Sequence, residues 1–180
     1  MRTYKDLAIA EEEQKLVDAV NKTNNLLVEA PTGSGKSLYI PWFLSNHFSG
    51  RIVVLQPRRI AALALAQYSA KLHNEPCGKT VGYQFRQDSC KSSATRILFQ
   101  TYGNFLQELL HGKMNAEWVI FDEYHERKAD MDLLFAYLLK LQAASRASGN
   151  ESIKAPRIAV MSAKLNREEM EQALGVKCLS

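Results

Sequence analysis

The apolar residues of this chain fall into short continuous runs separated by longer stretches of mixed character. Leu26–Val28, Arg51–Gln56, Arg96–Gln100, Trp118–Phe121 and Arg157–Ser162 are rich in Val, Ile, Leu and Phe and do not alternate with polar residues. Runs of this length predict strands, and the lack of alternation is what strands covered on both faces require. Lys79–Arg86 alternates instead and reads as a further strand. Between the runs the spacing is helical. Tyr4 to Asn21 predicts one helix with Leu7, Leu16, Val17 and Val20 as its apolar stripe. A second is expected from Lys36 to about Phe48, with Pro41 in its first turns, a third after Pro57 to about His73, and a fourth from Thr101 to Leu110. Asp130 to Ala144 repeats apolar residues at Met131, Leu134, Phe135, Leu138, Leu139 and Leu141, and Asn166 to Leu174 forms the last helical pattern. Ser145 to Pro156 is small, polar and punctuated by Gly149 and Pro156, which predicts an exposed loop.

Strands alternating with helices predict an α/β fold, a mostly parallel sheet with helices on both faces. Ligands of such sheets gather beyond the carboxyl ends of the strands. Ala30-Pro31, Gln56-Pro57, Thr101, Asp122 and Ser162 fall at those ends, so the candidate chemistry converges on one edge. The 180 residues suit a single domain, 1–180, and 46% hydrophobic content supports a real core. No apolar run has the length of a membrane span, and the charged first residues lack the apolar region of a signal peptide, so a cytoplasmic protein with no membrane partner is expected. Cys77, Cys90 and Cys178 have neither disulfide-framework nor zinc-site spacing. The net charge of +4 is a mild lean toward polyanions.

Chemistry enters first at residues 26–37. A buried strand, Leu26–Val28, runs into Ala30-Pro-Thr-Gly-Ser-Gly-Lys-Ser37 and then into a helix. Thr32, Gly33, Ser34 and Gly35 form a turn whose N–H groups can surround an anion, and the helix start adds unpaired donors and a favourable dipole. Lys36 reaches the β- and γ-phosphates of a nucleotide and the Ser37 hydroxyl ligates Mg²⁺. Ala30 stands where the strict phosphate-loop pattern has its first glycine. The bland alternative is an ordinary Gly/Ser turn before a helix.

The second signal closes the run Trp118–Phe121. Asp122 is placed to hold the metal through water, and Glu123 to orient and deprotonate the water that attacks the γ-phosphate. Taken alone, the pair could equally cap a helix.

Asp122-Glu-Tyr-His-Glu-Arg127 resembles motif II of the DEAH-box RNA helicases, in the form with an aromatic third residue found in HrpB-like members. Ala30–Ser37 is similar to motif I of that family, where alanine at the first position is usual. Gln56-Pro-Arg-Arg-Ile-Ala-Ala62 resembles motif Ia, Val81-Gly-Tyr-Gln-Phe-Arg86 the segment after it, Thr101-Tyr-Gly103 motif Ib and Met161-Ser-Ala-Lys164 motif III. The likeness covers about residues 20 to 175. It implies a RecA-like P-loop domain, the first lobe of an ATP-dependent RNA helicase or translocase using ATP and Mg²⁺. It implies, too, that Arg58, Arg59 and Thr101 touch the nucleic-acid backbone and that His125 links the nucleotide site to a second lobe. Guanidinium groups suit such contacts because they bind phosphate without sequence preference.

Three residues depart from the family pattern. Lys164 replaces the motif III threonine, which bears on coupling. Tyr102 replaces an acidic residue in motif Ib, which bears on the RNA contact. Tyr68 stands near an arginine that stacks on the base, and its ring could stack instead. The arginine fingers belong to a second RecA-like lobe outside this chain, so weak or no hydrolysis by the single lobe is expected. RNA is the expected partner, with single-stranded DNA as an alternative. The competing function is a nucleotide- or RNA-binding module without motor activity, and a weaker one is a P-loop ATPase acting on protein or DNA.

Overall fold

A computed structural model describes residues 3–148 and 155–180. Eight strands form one sheet: β1 (Asn25–Glu29), β2 (Ile52–Gln56), β3 (Val81–Gln84), β4 (Ser89–Cys90), β5 (Ile97–Thr101), β6 (Trp118–Phe121), β7 (Arg157–Ser162) and β8 (Cys178–Leu179). Their spatial order is β4-β3-β5-β2-β6-β7-β1-β8. Every neighbouring pair is parallel except β3 with β4. The helices are α1 (Glu13–Lys22), α2 (Lys36–His47), α3 (Arg59–Leu72), α4 (Tyr102–Leu110), α5 (Ala129–Ser148) and α6 (Arg167–Leu174).

The continuous apolar runs divide residue by residue between two cores. Leu26, Val28, Ile52, Val54, Ile120 and Met161 join α1, α2 and α3 on one face. Leu27, Val53, Leu55, Val119, Phe121 and Val160 join α4, α5 and α6 on the other. Successive strand side chains point to opposite faces, so a strand sandwiched between helices must be apolar at every position. This is the reason the runs do not alternate.

Two expectations are corrected and two short strands are added. Tyr4 to Asn21 is not one helix: 3₁₀ turns cover Tyr4–Asp6 and Ala8–Glu12, and α1 begins only at Glu13. Leu7 is extended there, and the Ile9 N–H donates at 3.1 Å to the Ser34 carbonyl rather than up its own helix. A tertiary partner thus outbids local helix formation. Pro41 is the sixth residue of α2, within its first two turns as expected. The expected loop at 145–156 is helical as far as Ser148, the end of α5; residues 149–154 of that loop lie outside the described residues. Finally, β4 and β8 were too short for their pattern to register. β8 forms because Gly175 (φ +67°) ends α6 in the left-handed region and turns the chain back along the edge of β1.

One buried polar knot ties α5 and the end of α6 to the sheet at the start of β1. The Asn25 amide donates to the Gln142 side chain at 3.2 Å and to the Leu174 carbonyl at 3.0 Å, while its oxygen accepts from Gln142 at 2.8 Å and from the Ile158 N–H at 3.2 Å. Removing one member leaves buried partners unsatisfied, which costs about 1–3 kcal/mol for each group so orphaned. Asn25→Ala is therefore expected to lower the stability by about 2–4 kcal/mol, read as a reduced urea midpoint at unchanged slope.

Candidate nucleotide site

The carboxyl ends of β1, β2, β5, β6 and β7 bring the sequence-predicted residues to one edge. After Glu29 the Ala30 N–H still pairs with the Ser162 carbonyl at 3.1 Å, and the chain then leaves the sheet. Gly33 and Gly35 both take left-handed backbone angles, φ +84° and +89°, and Gly35 is the N-cap of α2. Its carbonyl accepts from the N–H groups of Leu38 and Tyr39 at 3.0 and 2.8 Å. Lys36 and Ser37, as the first helical residues, have no intrahelical acceptor for their own N–H groups. Thr32 and Gly33 are exposed, Ser34 and Ser37 are half-buried, and Lys36 is only 3% exposed.

The N-terminal turns hold this loop from behind. Besides the Ile9–Ser34 bond, the Leu7 side chain packs so closely on Gly35 that a Cβ there would lie 2.8 Å from the Leu7 Cβ. Tyr4 stacks on Trp42 of α2 with ring centroids 5.0 Å apart, and its hydroxyl donates to the Ser69 carbonyl of α3 at 3.0 Å. Burial raises the Tyr4 hydroxyl well above its ordinary pKa, so it stays protonated and continues to donate.

Asp122 ends β6 and is fully buried. Its carboxylate accepts from the Gln56 amide, from the Ser37 hydroxyl and from the Glu123 N–H at 2.9 Å. Its carbonyl accepts from the Tyr102 hydroxyl at 2.7 Å. Desolvation raises the Asp122 pKa above its ordinary 3.8; the Ser37 and Gln56 bonds oppose this, Glu123 adds to it and Lys36 opposes it. Glu123 occupies the left-handed region at φ +50°, a strain that non-glycine residues carry chiefly where function requires it. That turn aims its carboxylate back at the loop, with Oε1 3.4 Å from the Lys36 Nζ and Oε2 3.3 Å from the His125 Nδ1. The His125 Nδ1 also lies 3.0 Å from the Ser162 Oγ, at the end of β7. Lys36, Ser37, Asp122, Glu123 and His125 therefore form one connected group.

The expected nucleic-acid contacts lie on the same edge, and all three have partners within the protein. Arg58 is exposed and pairs with Glu126 of the motif II turn at 3.4 Å. Arg59 sits over the Phe85 ring at 5.1 Å. Thr101 caps α4, its hydroxyl accepting from the Asn104 N–H at 3.4 Å. Tyr68 projects from α3 to solvent. Tyr102 is buried, so it does not face the surface where an RNA contact was expected to change. Lys164 is exposed, and Ser162 builds the turn through the Lys164 backbone, donating to its carbonyl at 2.9 Å. Sequence reasoning gave no role to Gln56, Tyr102 or Ser162 around the acid pair. A polar residue closing an apolar strand, as Gln56 and Ser162 do, was the available signal.

A model of the DEAD/DEAH box helicase family matches residues 11–173. The chain belongs to that family. It is 36% identical over 164 residues to the ATP-dependent RNA helicase HrpB of Escherichia coli K12, covering 89% of this chain and 19% of that protein. It is 34% identical over 174 residues to the human probable ATP-dependent RNA helicase DHX40, covering 93% of this chain and 22% of that protein. The crystal structure of the E. coli DExH-box NTPase HrpB superposes with a TM-score of 0.85 at 33% identity, covering 99% of this chain and 22% of that one. The fold is thus the RecA-like helicase domain. The chain spans about a fifth of the length of these relatives.

Two outcomes follow for the site. Gly35→Ala combines a left-handed φ with the Leu7 clash and is expected to cost about 1–3 kcal/mol and to weaken nucleotide binding; adding Leu7→Ala relieves only the clash, so binding should recover in part, as an ADP titration would show. Asp122, with its pKa raised on folding, contributes stability while protonated and loses it as pH rises from 3.8 through the folded-state value. Asp122→Asn should therefore raise the melting temperature at neutral pH and flatten that fall, as thermal unfolding followed across pH would show.

Proposed function

We propose that the chain is the first RecA-like lobe of an ATP-dependent RNA helicase or translocase, binding Mg-ATP at the Ala30–Ser37 loop and single-stranded RNA backbone along the same edge. The observation that carries this reading is the buried Lys36 ammonium facing Glu123 at 3.4 Å, at the mouth of a loop with two left-handed glycines. Lys36, Asp122 and Glu123 together place one cation beside two carboxylates, a charge balance suited to a bound dication.

The donor set fits Mg²⁺. It consists of oxygen only, the Ser37 hydroxyl and the Asp122 carboxylate, and among the described residues no cluster of three or more His, Cys, Asp or Glu exists to form a protein-only cage. Mg²⁺ is commonly held by one or two carboxylates together with water and substrate phosphates. When bound it would neutralise charge between the β- and γ-phosphates. Lys36 gives up its pairing with Glu123 to meet the incoming phosphate, which leaves the Glu123 carboxylate able to accept a proton from the attacking water. His125 bridges Glu123 and Ser162, so it reports the state of the acid pair to the β7 turn. Arg58 can release Glu126 for a phosphodiester, since an exposed pair contributes at most about 1 kcal/mol. Tyr68 offers a ring to the base.

The relatives named as RNA helicases are about five times longer, which supports a second RecA-like lobe as the partner that supplies the arginine fingers. Hydrolysis by this lobe alone is accordingly weak. The three cysteines are free, in keeping with a reducing cytoplasm, and no helix among the described residues is long and apolar enough to cross a membrane.

Fluorescent ADP with Mg²⁺ should bind the chain saturably and fail to bind its Lys36→Ala variant; equal binding by both would reject the assigned site. In the full-length protein, Glu123→Gln should retain ATP binding and lose RNA-stimulated turnover by about two or more orders of magnitude. RNA binding without any stimulated turnover in the unaltered protein would favour the binding module instead.

A further inference from the structure

The edge of the sheet opposite the nucleotide loop carries its own group of cations. Lys22 ends α1 just before β1, His47 ends α2, and Arg157 opens β7, so all three lie at the amino ends of strands. Lys22, Asn24, His47 and Arg157 line a polar pocket of about 330 Å³. Asn24 and Arg157 also line an adjoining pocket of about 250 Å³ to which Arg146 of α5 contributes.

No carboxylate is found among the described residues lining either pocket. Among the described residues, Lys22, Arg146 and Arg157 make no ion pair, as is true of most other cations of the chain; what sets these three apart is that they converge on pockets that no described carboxylate lines. The Arg157 guanidinium is positioned by aromatic rings, 4.6 Å above Phe48 and 5.7 Å from Trp118, and its N–H groups donate to no side chain or carbonyl among the described residues. Glu117, the acid adjacent to β6, turns its carboxylate to the Gly50 N–H and offers Arg157 only its backbone carbonyl, at 2.8 Å. His47 directs Nδ1 to the Phe43 carbonyl at 2.8 Å, which leaves Nε2 for a ligand.

We propose that this edge is a second anion site, taking a phosphate group, either a phosphodiester of a polynucleotide or a free phosphate compound. Uncompensated cations around polar concavities raise the local potential, and a planar guanidinium already fixed by stacking loses little freedom when it engages phosphate oxygens. The site does not depend on the nucleotide reading, since neither pocket contains a residue of the Ala30–Ser37 loop.

Amide NMR of the ¹⁵N-labelled chain reads the two edges separately. Inorganic pyrophosphate should shift the amides of Thr23, Asn24, Phe48 and Arg157 whether or not it also shifts those of Gly33 and Gly35. The double variant Lys22→Gln, Arg146→Gln changes two exposed side chains; it should weaken the far-edge response about tenfold and leave any loop response unchanged. A short oligouridylate that moves the same four amides would identify the polynucleotide as the source, and the variant should then lower its log–log salt slope by about 1.4. A response to pyrophosphate alone would identify a free phosphate compound. Far-edge amides that respond to neither probe, or a variant with unchanged far-edge affinity, would overturn the proposal.

Discussion

A carboxylate with no access to water sits at the centre of this structure. Asp122 ends a strand sandwiched between two helical layers, where an unpartnered charge would cost several kcal/mol. The surrounding side chains are arranged around that cost. Gln56 from β2 and Ser37 from α2 donate to the carboxylate, the Glu123 N–H closes a third bond, and Tyr102 from α4 fixes the carbonyl. Three elements that are distant in sequence are thereby tied to one residue, and the turn after it places Glu123 in the left-handed region. The same bonds that make the carboxylate tolerable also aim its neighbour at Lys36.

The loop itself would be a poor scaffold without support. Glycines at Gly33 and Gly35 supply the conformations needed to surround an anion, yet they leave the loop with few side chains to hold it. The N-terminal turns provide that hold. Ile9 fastens the Ser34 carbonyl, Leu7 fills the space that a side chain on Gly35 would need, and Tyr4 links α2 to α3. Backbone freedom in the loop and rigidity behind it are complementary, since preorganised donors avoid reordering when the ligand arrives.

How much of this was legible in the sequence depends on whether the cause was local. The main strands were legible because a strand covered on both faces has to be apolar throughout, and Leu26–Val28 or Trp118–Phe121 can satisfy no other surroundings so well. Lys36, Ser37, Asp122 and Glu123 could be picked out as one candidate group because the phosphate chemistry proposed for them calls for those residue types at that spacing, and the fold brings them together. The turns at 4–12 were not, because Ile9 bonds to a carbonyl 25 residues away and no local pattern records it. Nor was β8, whose two residues are ordered by the free edge of β1. The partners of Arg58 and Arg59 depended on Glu126 and Phe85, which only the folded sheet brings near.

The departure at Lys164 takes on a different weight once the turn is seen. A threonine hydroxyl is missing from motif III, yet the turn is organised by Ser162, whose Oγ donates to the Lys164 carbonyl and accepts from its N–H, both backbone groups that any residue supplies. Ser162 is also the residue that meets His125. The path from Glu123 through His125 to β7 therefore runs without any side chain at position 164. What the lysine changes is the exposed outer surface of that turn, by adding a positive charge on the edge where nucleic acid is proposed to lie. An extra ammonium there strengthens backbone attraction and its salt dependence. It leaves the internal linkage unaltered.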